Sequence, residues 1–70
     1  MIRLTQKRQE RGWSQAKLAR ASETDQGLLS KIESSRVKPY PKELERIADA
    51  LGQPRDKAHL LVQEVGADEN

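Results

Sequence analysis

Two short helical patterns, separated by a three-residue interruption within residues 14–34, constrain the fold of this chain more than any other feature. Ser14 precedes the first pattern and Asp25 precedes the second, and both residue types are favourable helix N-caps. Within each pattern, apolar residues recur at the spacing that puts them on one face of an α-helix. These residues are Leu18 and Ala19 in the first pattern, and Leu29 and Ile32 in the second. The stretch therefore predicts two helices joined by a tight turn.

Three further helices are predicted around this pair. The first runs from Arg3 to Arg11 and stops at Gly12, a residue suited to the left-handed position after a helix. The fourth begins at Pro41, and its inward residues are Leu44, Ile47, Ala48 and Leu51. The fifth extends from about residue 54 to about residue 65, with an apolar face of Ala58, Leu61, Val62 and Val65. The sequence thus predicts an all-α, five-helix bundle, in one domain over residues 1–70, whose end at 66–70 frays.

Size and composition narrow the function classes. With 70 residues, the chain builds one small core that supplies roughly 3 to 5 kcal/mol of net stability. It contains no cysteine, which excludes disulfides and thiolate chemistry, and its single histidine, His59, has no companion for a metal site. No apolar run is long enough for a membrane span. We therefore expect a cytoplasmic protein that is not an enzyme and that uses neither metal nor cofactor.

The charges are unevenly distributed along the chain. Residues 1–42 carry ten Lys and Arg against four Asp and Glu, whereas residues 43–70 carry three against seven. A basic region of this kind is typical of a surface that meets a polyanion, although ordinary solvated charges produce the same pattern. Charge alone does not decide between these two interpretations.

The spacing of the sequence resembles that of the Cro/C1-type (XRE-like) helix-turn-helix DNA-binding domains over roughly residues 4–62. The resemblance depends on the joint spacing of Arg8, Gly12, Ser14, Gln15, Leu18, Ala19, Leu29, Ile32, Glu33, Pro39, Leu44, Ile47, Ala48, Leu51 and Gly52. It implies a lambda-repressor-like fold in which the second and third helices, residues 14–34, form the DNA-binding unit. The third helix would enter the major groove of double-stranded DNA.

The resemblance also implies roles for individual residues. Gln15 matches a glutamine that contacts the phosphate backbone, and Gln26, Gly27 and Lys31 match positions that face the bases. Arg8 matches an arginine that pairs with a glutamate at the position of Glu33. Arg8 requires such a partner, because it lies one turn after Leu4 on the inward face of the first helix. An unpaired guanidinium buried there would lower the stability of the fold.

The chemistry of the residue types extends this candidate interface. Gln26 can bond the edge of adenine with two hydrogen bonds, and Lys31 can reach guanine acceptors or a phosphate. Leu28 could touch a thymine methyl group or pack against the protein, and Ser30 is a further candidate for the bases. Ser14, Arg36 and Lys38 are candidates for phosphate contacts, together with Gln15.

Gly27 and the turn positions leave alternatives open. Gly27 weakens a helix by roughly 1 kcal/mol relative to alanine, so it either permits close approach of DNA to the backbone or is a tolerated imperfection. The family usually has glycine at the positions of Glu23 and Ser35 and an apolar residue at Thr24. Glu23 must therefore adopt a positive φ or force a different turn.

These observations support three hypotheses. The first is a sequence-specific transcriptional regulator of the repressor type, acting as a homodimer whose candidate contacts are Leu60, Ile2 and the fifth helix. The second is an antitoxin, which would bind both DNA and a toxin protein through the same fold. The third is a protein-interaction module that does not bind DNA.

Overall fold

Four α-helices and one 3₁₀ helix make up the structure, a computed structural model that describes residues 1–66. The α-helices are α1 (Arg3–Glu10), α2 (Gln15–Ala21), α3 (Gln26–Glu33) and α4 (Pro41–Ala50), and the 3₁₀ helix, Arg55–Val62, is called the fifth helix below. The prediction of an all-α fold with five helices is confirmed. In residues 1–66 the one β feature is an isolated antiparallel bridge between Ile2 and Glu64. The predicted fraying of 66–70 concerns mainly residues 67–70, which lie outside the described part.

The core forms where one face of each helix meets the others. Leu4 of α1, Leu18 of α2 and Leu29 of α3 are completely buried, and so are Ile47 and Ala48 of α4. The remaining buried apolar residues are Ile2, Ala19, Ile32, Leu44, Leu51, Ala58 and Leu61. The inward residues that the sequence predicts for α2, α3 and α4 all belong to this cluster. The core therefore fixes the orientation of α3 relative to α1, α2 and α4.

All four α-helices end in the same way, with one residue in the left-handed conformation. These residues are Gly12 after α1, Glu23 after α2, Ser35 after α3 and Gly52 after α4, with φ between 55° and 70°. In each case the next amide donates to the carbonyl five residues earlier, as in Thr24 N to Ala19 O at 2.8 Å and Arg36 N to Lys31 O at 2.9 Å. This hydrogen bond is the mark of a Schellman cap. Glu23 thus adopts the positive φ, and the usual turn is retained.

Two buried hydroxyl groups complete the turn between α2 and α3. Thr24, at the position where the family has an apolar residue, is 8% exposed, and Ser22 is 2% exposed. The Ser22 hydroxyl donates to the carbonyl of Leu18 at 2.7 Å, and the two hydroxyl groups lie 3.1 Å apart. Because both groups have partners, their burial does not leave an unsatisfied polar atom inside the turn.

The C-terminal end of α4 is held by two arginines from other elements. Arg11 Nη2 donates to the carbonyl oxygen of Leu51 at 3.1 Å, which satisfies one of the free carbonyls at the end of this helix. Arg55, at the start of the fifth helix, donates hydrogen bonds to both carboxylate oxygens of Asp49, with the shortest distance 2.7 Å. The hydrogen bond from Arg55 lowers the pKa of the Asp49 carboxyl group, and the charge of Arg55 lowers it further.

The fifth helix differs from the prediction in type, in length and in the residues that it buries. It is a 3₁₀ helix that ends at Val62, and residues three apart on such a helix share a face. Ala58 and Leu61 follow this repeat and are buried, whereas Val62 and Val65 are 38% and 39% exposed. The prediction that these two valines pack into the core is therefore wrong.

Ile2 also differs from its prediction. It is 2% exposed and belongs to the core, because the chain around it pairs with the segment after the fifth helix. Arg3 N donates to Gln63 O at 2.8 Å, and Val65 N donates to Met1 O at 2.9 Å. Ile2 is therefore unavailable as a surface contact for a second copy. Leu60, the other residue named for that contact, is half-buried.

Candidate nucleic-acid interface

Helix α3 has one buried face and one exposed face. Leu29 and Ile32 are at most 1% exposed, and the opposite side presents Gln26, Gly27, Ser30, Lys31 and Ser34, all of which are exposed. Within α3 the one acidic residue is Glu33, whose side chain is largely buried and is paired with Arg8 of α1. The exposed face is therefore made of small, polar and cationic groups. Such a face offers hydrogen-bond donors and the positive charge of Lys31, while the neighbouring Asp25 carboxylate accepts a hydrogen bond from the backbone of the first turn.

The first turn of α3 is held by Asp25. Its carboxylate oxygen Oδ2 accepts a hydrogen bond from the backbone N–H of Leu28 at 3.0 Å, which is the N-cap interaction that the sequence predicts. A Cβ atom added to Gly27 would lie 3.0 Å from the same carboxylate oxygen. Glycine at this position therefore leaves room for the cap and exposes the backbone of the first turn.

Glu33 joins three side chains from two other helices. Arg8 of α1 forms a two-point ion pair with it, with Nε to Oε2 at 2.8 Å and Nη2 to Oε1 at 3.0 Å. Oε1 also accepts from the Thr5 hydroxyl at 3.1 Å and from Gln15 Nε2 at 3.2 Å. The side chains of Arg8 and Glu33 are 12% and 6% exposed. Charged groups this well buried need such complete pairing, and the contacts tie α1 and α2 to the last turn of α3.

Arg8 also orients the chain where α2 begins. Its Nη1 donates to the backbone carbonyl of Trp13 at 2.7 Å, one residue before the N-cap Ser14. The Trp13 ring is half-buried, with the Arg11 guanidinium carbon 5.0 Å and Lys17 Nζ 5.6 Å from its centroid. Both distances are typical of cation–π contacts. The start of α2 is thus held by the hydrogen bond from Arg8 to the Trp13 carbonyl and by the cation–π contacts of the Trp13 ring.

Ser14 and Gln15 retain donor capacity at this end of α2. The Ser14 hydroxyl oxygen accepts from Lys17 N at 3.1 Å, so its own hydrogen can still be donated. Gln15 uses one N–H of its side-chain amide on Glu33, and an amide nitrogen carries two. Phosphate oxygens only accept hydrogen bonds, and both side chains can therefore serve as donors to a phosphate without losing their internal contacts.

The loop after α3 carries the remaining cationic candidates. Arg36 and Lys38 are exposed, and neither forms an ion pair in the part of the chain that the structure describes. The loop leaves α3 through the left-handed residue Ser35, which turns the chain sharply next to the exposed face. These two cations are therefore free to meet an external anion.

Four of the five residues predicted to face the bases share the exposed side of α3. The fifth, Leu28, is half-buried and packs against the core, as the alternative interpretation of this residue predicts. Sequence reasoning missed Thr5 and Arg11. Thr5 lies three residues before Arg8 and therefore on the same face of α1, a signal that could have identified it. The contact between Arg11 and Leu51 links residues 40 positions apart, and no local pattern indicates it.

A comparison with protein-family models agrees with this arrangement. A model described as a helix-turn-helix domain matches residues 2–61. The chain belongs to this helix-turn-helix family. The match covers all five helices nearly to the end of the fifth, so the family comprises the whole bundle and not the two central helices alone. No curated protein and no solved structure matches the chain in the other two comparisons.

In residues 1–66, no helix has the length and apolar character that crossing a membrane requires. Within the same residues, no group of three or more His, Cys, Asp or Glu side chains is arranged to hold a metal ion.

Proposed function

We propose that this helix-turn-helix protein is a sequence-specific transcriptional regulator that docks α3 in the major groove of double-stranded DNA. The observation that carries the proposal is the exposed face of α3, where Gln26, Gly27, Ser30 and Lys31 lie together opposite two fully buried residues. A helix that served stability alone would favour strong helix formers on its exposed side. Glycine and serine at these positions instead suit close contact with a second surface.

The base contacts are assigned by their hydrogen-bonding capacity. Gln26 lies at the first position of α3 and can bond adenine at two points, while Lys31, more than one turn later, reaches guanine acceptors. Gly27 brings the backbone near the base edges, and Ser30 adds a hydroxyl group between the two ends of this face. Leu28 contributes at most its exposed edge, for example against a thymine methyl group.

The phosphate contacts frame this face on two sides. Ser14 and Gln15 donate from the beginning of α2, and Arg36 and Lys38 contribute their charges from the loop after α3. Because its hydrogen bond to Glu33 fixes Gln15 relative to α3, the phosphate contact sets the depth at which α3 enters the groove. We further propose that the regulator represses transcription by occupying its operator.

The experiment that tests the function is selection of bound sequences from a random DNA pool, followed by affinity measurements at several salt concentrations. A defined motif is expected, with an affinity whose logarithm falls linearly with the logarithm of salt concentration. The variants Gln26→Ala and Lys31→Ala should alter or abolish the selected motif. Lys57→Ala removes an exposed cation from the fifth helix and is the matched control, which should select the original motif.

The outcomes separate the candidate functions. A pool from which no DNA is enriched would overturn DNA binding and favour a protein-interaction module. A motif that survives both α3 substitutions would retain DNA binding but would overturn the assignment of the reading face.

A further inference from the structure

A groove with a volume of about 290 Å³ lies between the loop that follows α3 and the end of the fifth helix. Two core residues form its base, Ile32 of α3 and Leu44 of α4, which are 1% and 8% exposed. Val37 of the loop and Val62 of the fifth helix also line the groove, and each is 38% exposed. With Pro39, five of the seven lining residues are apolar. The groove thus offers a small ligand an apolar surface that reaches the core.

The two polar residues that line the groove indicate the charge of a ligand that fits it. Lys38 is exposed and forms no ion pair within residues 1–66, and Ser35 adds a hydroxyl group from the same loop. Among the described residues, no aspartate or glutamate lines the groove. An apolar groove with one unpaired cation is complementary to an aliphatic chain that ends in an anion.

We propose that the groove binds a free straight-chain fatty-acid anion, with the alkyl chain against the apolar base and the carboxylate at Lys38. The ammonium group pairs with the carboxylate, and the Ser35 hydroxyl group can donate a hydrogen bond to it. A methylene group has roughly the volume of a water molecule, about 30 Å³ in the liquid. The groove therefore holds a chain of roughly eight to ten carbons.

The size of the groove favours a small ligand over a protein partner. A stable protein–protein interface buries about 800 Å² on each partner, which is roughly one sixth of the 4663 Å² surface of this chain. The groove is a small part of that surface, since seven residues line it. A single alkyl chain, in contrast, can cover the apolar base completely.

Occupation of the groove affects DNA binding, and this part of the inference rests on the proposed function. Lys38 is also a candidate phosphate contact, and Ile32 directly follows Lys31 on α3. A carboxylate bound at Lys38 neutralises this cation and places a negative charge beside the loop that meets the DNA backbone. The ligand and DNA should therefore weaken each other's binding by the same factor. Such a ligand is an inducer, because it releases the protein from its DNA site.

A nuclear magnetic resonance titration without DNA tests the ligand site directly. Hexanoate, heptanoate and octanoate are added at neutral pH, each below the concentration at which it forms micelles, while the backbone amide signals are followed. We expect the signals of Val37, Leu44 and Val62 to shift, and we expect the affinity to rise about fourfold with each methylene. Absence of shifts at these residues with all three acids overturns the fatty-acid site and leaves the groove to a protein side chain.

One groove variant and one control locate the site. Val62→Ser removes apolar surface from the groove and should weaken octanoate binding by on the order of tenfold. Val65→Ser is the matched control, because Val65 is 39% exposed and does not line the groove, and it should bind octanoate like the wild type. Equal weakening by both substitutions, or weakening by neither, overturns the location of the site.

The neutral ligand 1-octanol tests the assignment of the carboxylate to Lys38. Lys38→Gln should lower the affinity for octanoate about twofold to fivefold, the contribution of an exposed ion pair, and should leave the affinity for 1-octanol unchanged. Lys57→Gln removes an exposed cation that does not line the groove and should change neither affinity. If Lys38→Gln leaves octanoate binding unchanged, or weakens both ligands equally, the pairing with Lys38 is overturned.

The effect on DNA is measured with the selected motif at low salt, with octanoate at ten times its dissociation constant for the wild type. We expect the DNA affinity of the wild type and of Val65→Ser to fall roughly fivefold, and that of Val62→Ser to fall less than about twofold. Octanoate that occupies the groove without changing the DNA affinity overturns the regulatory role alone. Absence of DNA binding without octanoate overturns the proposed function, and the titration without DNA still decides the ligand site.

Discussion

Glu23 and Ser35 terminate α2 and α3 in the same left-handed conformation, with φ values of 55° and 62°. The equivalent residues after α1 and α4 are glycines, which adopt this conformation without steric cost. The two helices of the helix-turn-helix unit are therefore each followed by a residue that is strained in this conformation. The backbone hydrogen bonds of each cap hold the strained residue in place.

Replacement of either residue by glycine should stabilise the protein. We expect Glu23→Gly and Ser35→Gly each to raise the free energy of unfolding by about 0.5 to 1 kcal/mol, because the relief of strain exceeds the added entropy of the unfolded chain. Urea unfolding followed by the fluorescence of Trp13 measures the change. Ser34→Gly, at a residue with φ of −89°, is the control and should destabilise the protein. Destabilisation by the first two substitutions would refute the strain argument.

Removal of Glu33 should be one of the most damaging single changes. We expect Glu33→Ala to lower the free energy of unfolding by about 3 to 5 kcal/mol, because it leaves the guanidinium of Arg8 largely buried without its counter-charge. The double variant Arg8→Leu with Glu33→Leu removes both charges and should lose less stability than the single variant. If the double variant loses as much stability as Glu33→Ala or more, the loss comes from the missing ion pair and not from the unpaired charge of Arg8.

The Asp49–Arg55 pair should make a small pH-dependent contribution to stability. Because Arg55 lowers the pKa of Asp49 in the folded protein, the contribution is complete above the ordinary value of 3.8 and disappears as the pH falls through the lowered value. Unfolding measured from pH 6 down to pH 2 for the wild type and for Asp49→Asn gives the difference between them. That difference should shrink toward zero over the acidic end of the range. A difference that is independent of pH would contradict the assigned cause.

Gly27→Ala should separate stability from DNA binding. The helix gains roughly 1 kcal/mol of propensity, and crowding of the Asp25 carboxylate offsets part of this gain, so stability should change by less than about 1 kcal/mol. The affinity for the selected DNA motif should fall by on the order of tenfold if the bases approach the backbone at this residue. Gln9→Ala, at an exposed position of α1 that has no assigned DNA contact, is the control for helix propensity and should keep the wild-type affinity. Unchanged affinity of Gly27→Ala would identify the glycine as a requirement of the cap alone.

Arg36→Gln and Lys38→Gln should weaken binding to all DNA sequences alike. Each substitution removes one candidate phosphate contact, so the slope of log affinity against log salt concentration should decrease by about 1 while the selected motif stays the same. Lys57→Gln is the matched control on the fifth helix and should leave the slope unchanged. A changed motif would assign Arg36 or Lys38 to the bases.

Local patterns were sufficient to predict most of the secondary structure and the orientation of α3. The inward faces of α2, α3 and α4 follow from apolar spacing, and the caps at Ser14 and Asp25 follow from residue type. These features depend on interactions within one or two helical turns. Their positions are therefore encoded in short stretches of sequence and can be predicted from them.

The fifth helix shows where local patterns fail. The spacing of Val62 and Val65 fits an α-helix, but pairing of Gln63 and Val65 with residues 1 and 3 of the chain competes with a helical continuation. This pairing joins residues about 60 positions apart, so a periodicity argument cannot detect it. The same contacts bury Ile2 and expose the two valines, which changes the surface available to a second copy.

What the sequence determined by itself is the set of helices, the cationic and polar face of α3, and the need for Arg8 to find an acidic partner. The tertiary structure alone decided that Glu33 also accepts hydrogen bonds from Thr5 and Gln15, and that Arg11 donates to the Leu51 carbonyl at the end of α4. It also decided that a groove lies beside the loop after α3. The physical reason is the range of the interactions. Helices and caps depend on neighbours in the chain, whereas ion-pair networks and grooves depend on side chains that only folding brings within a few ångströms of each other.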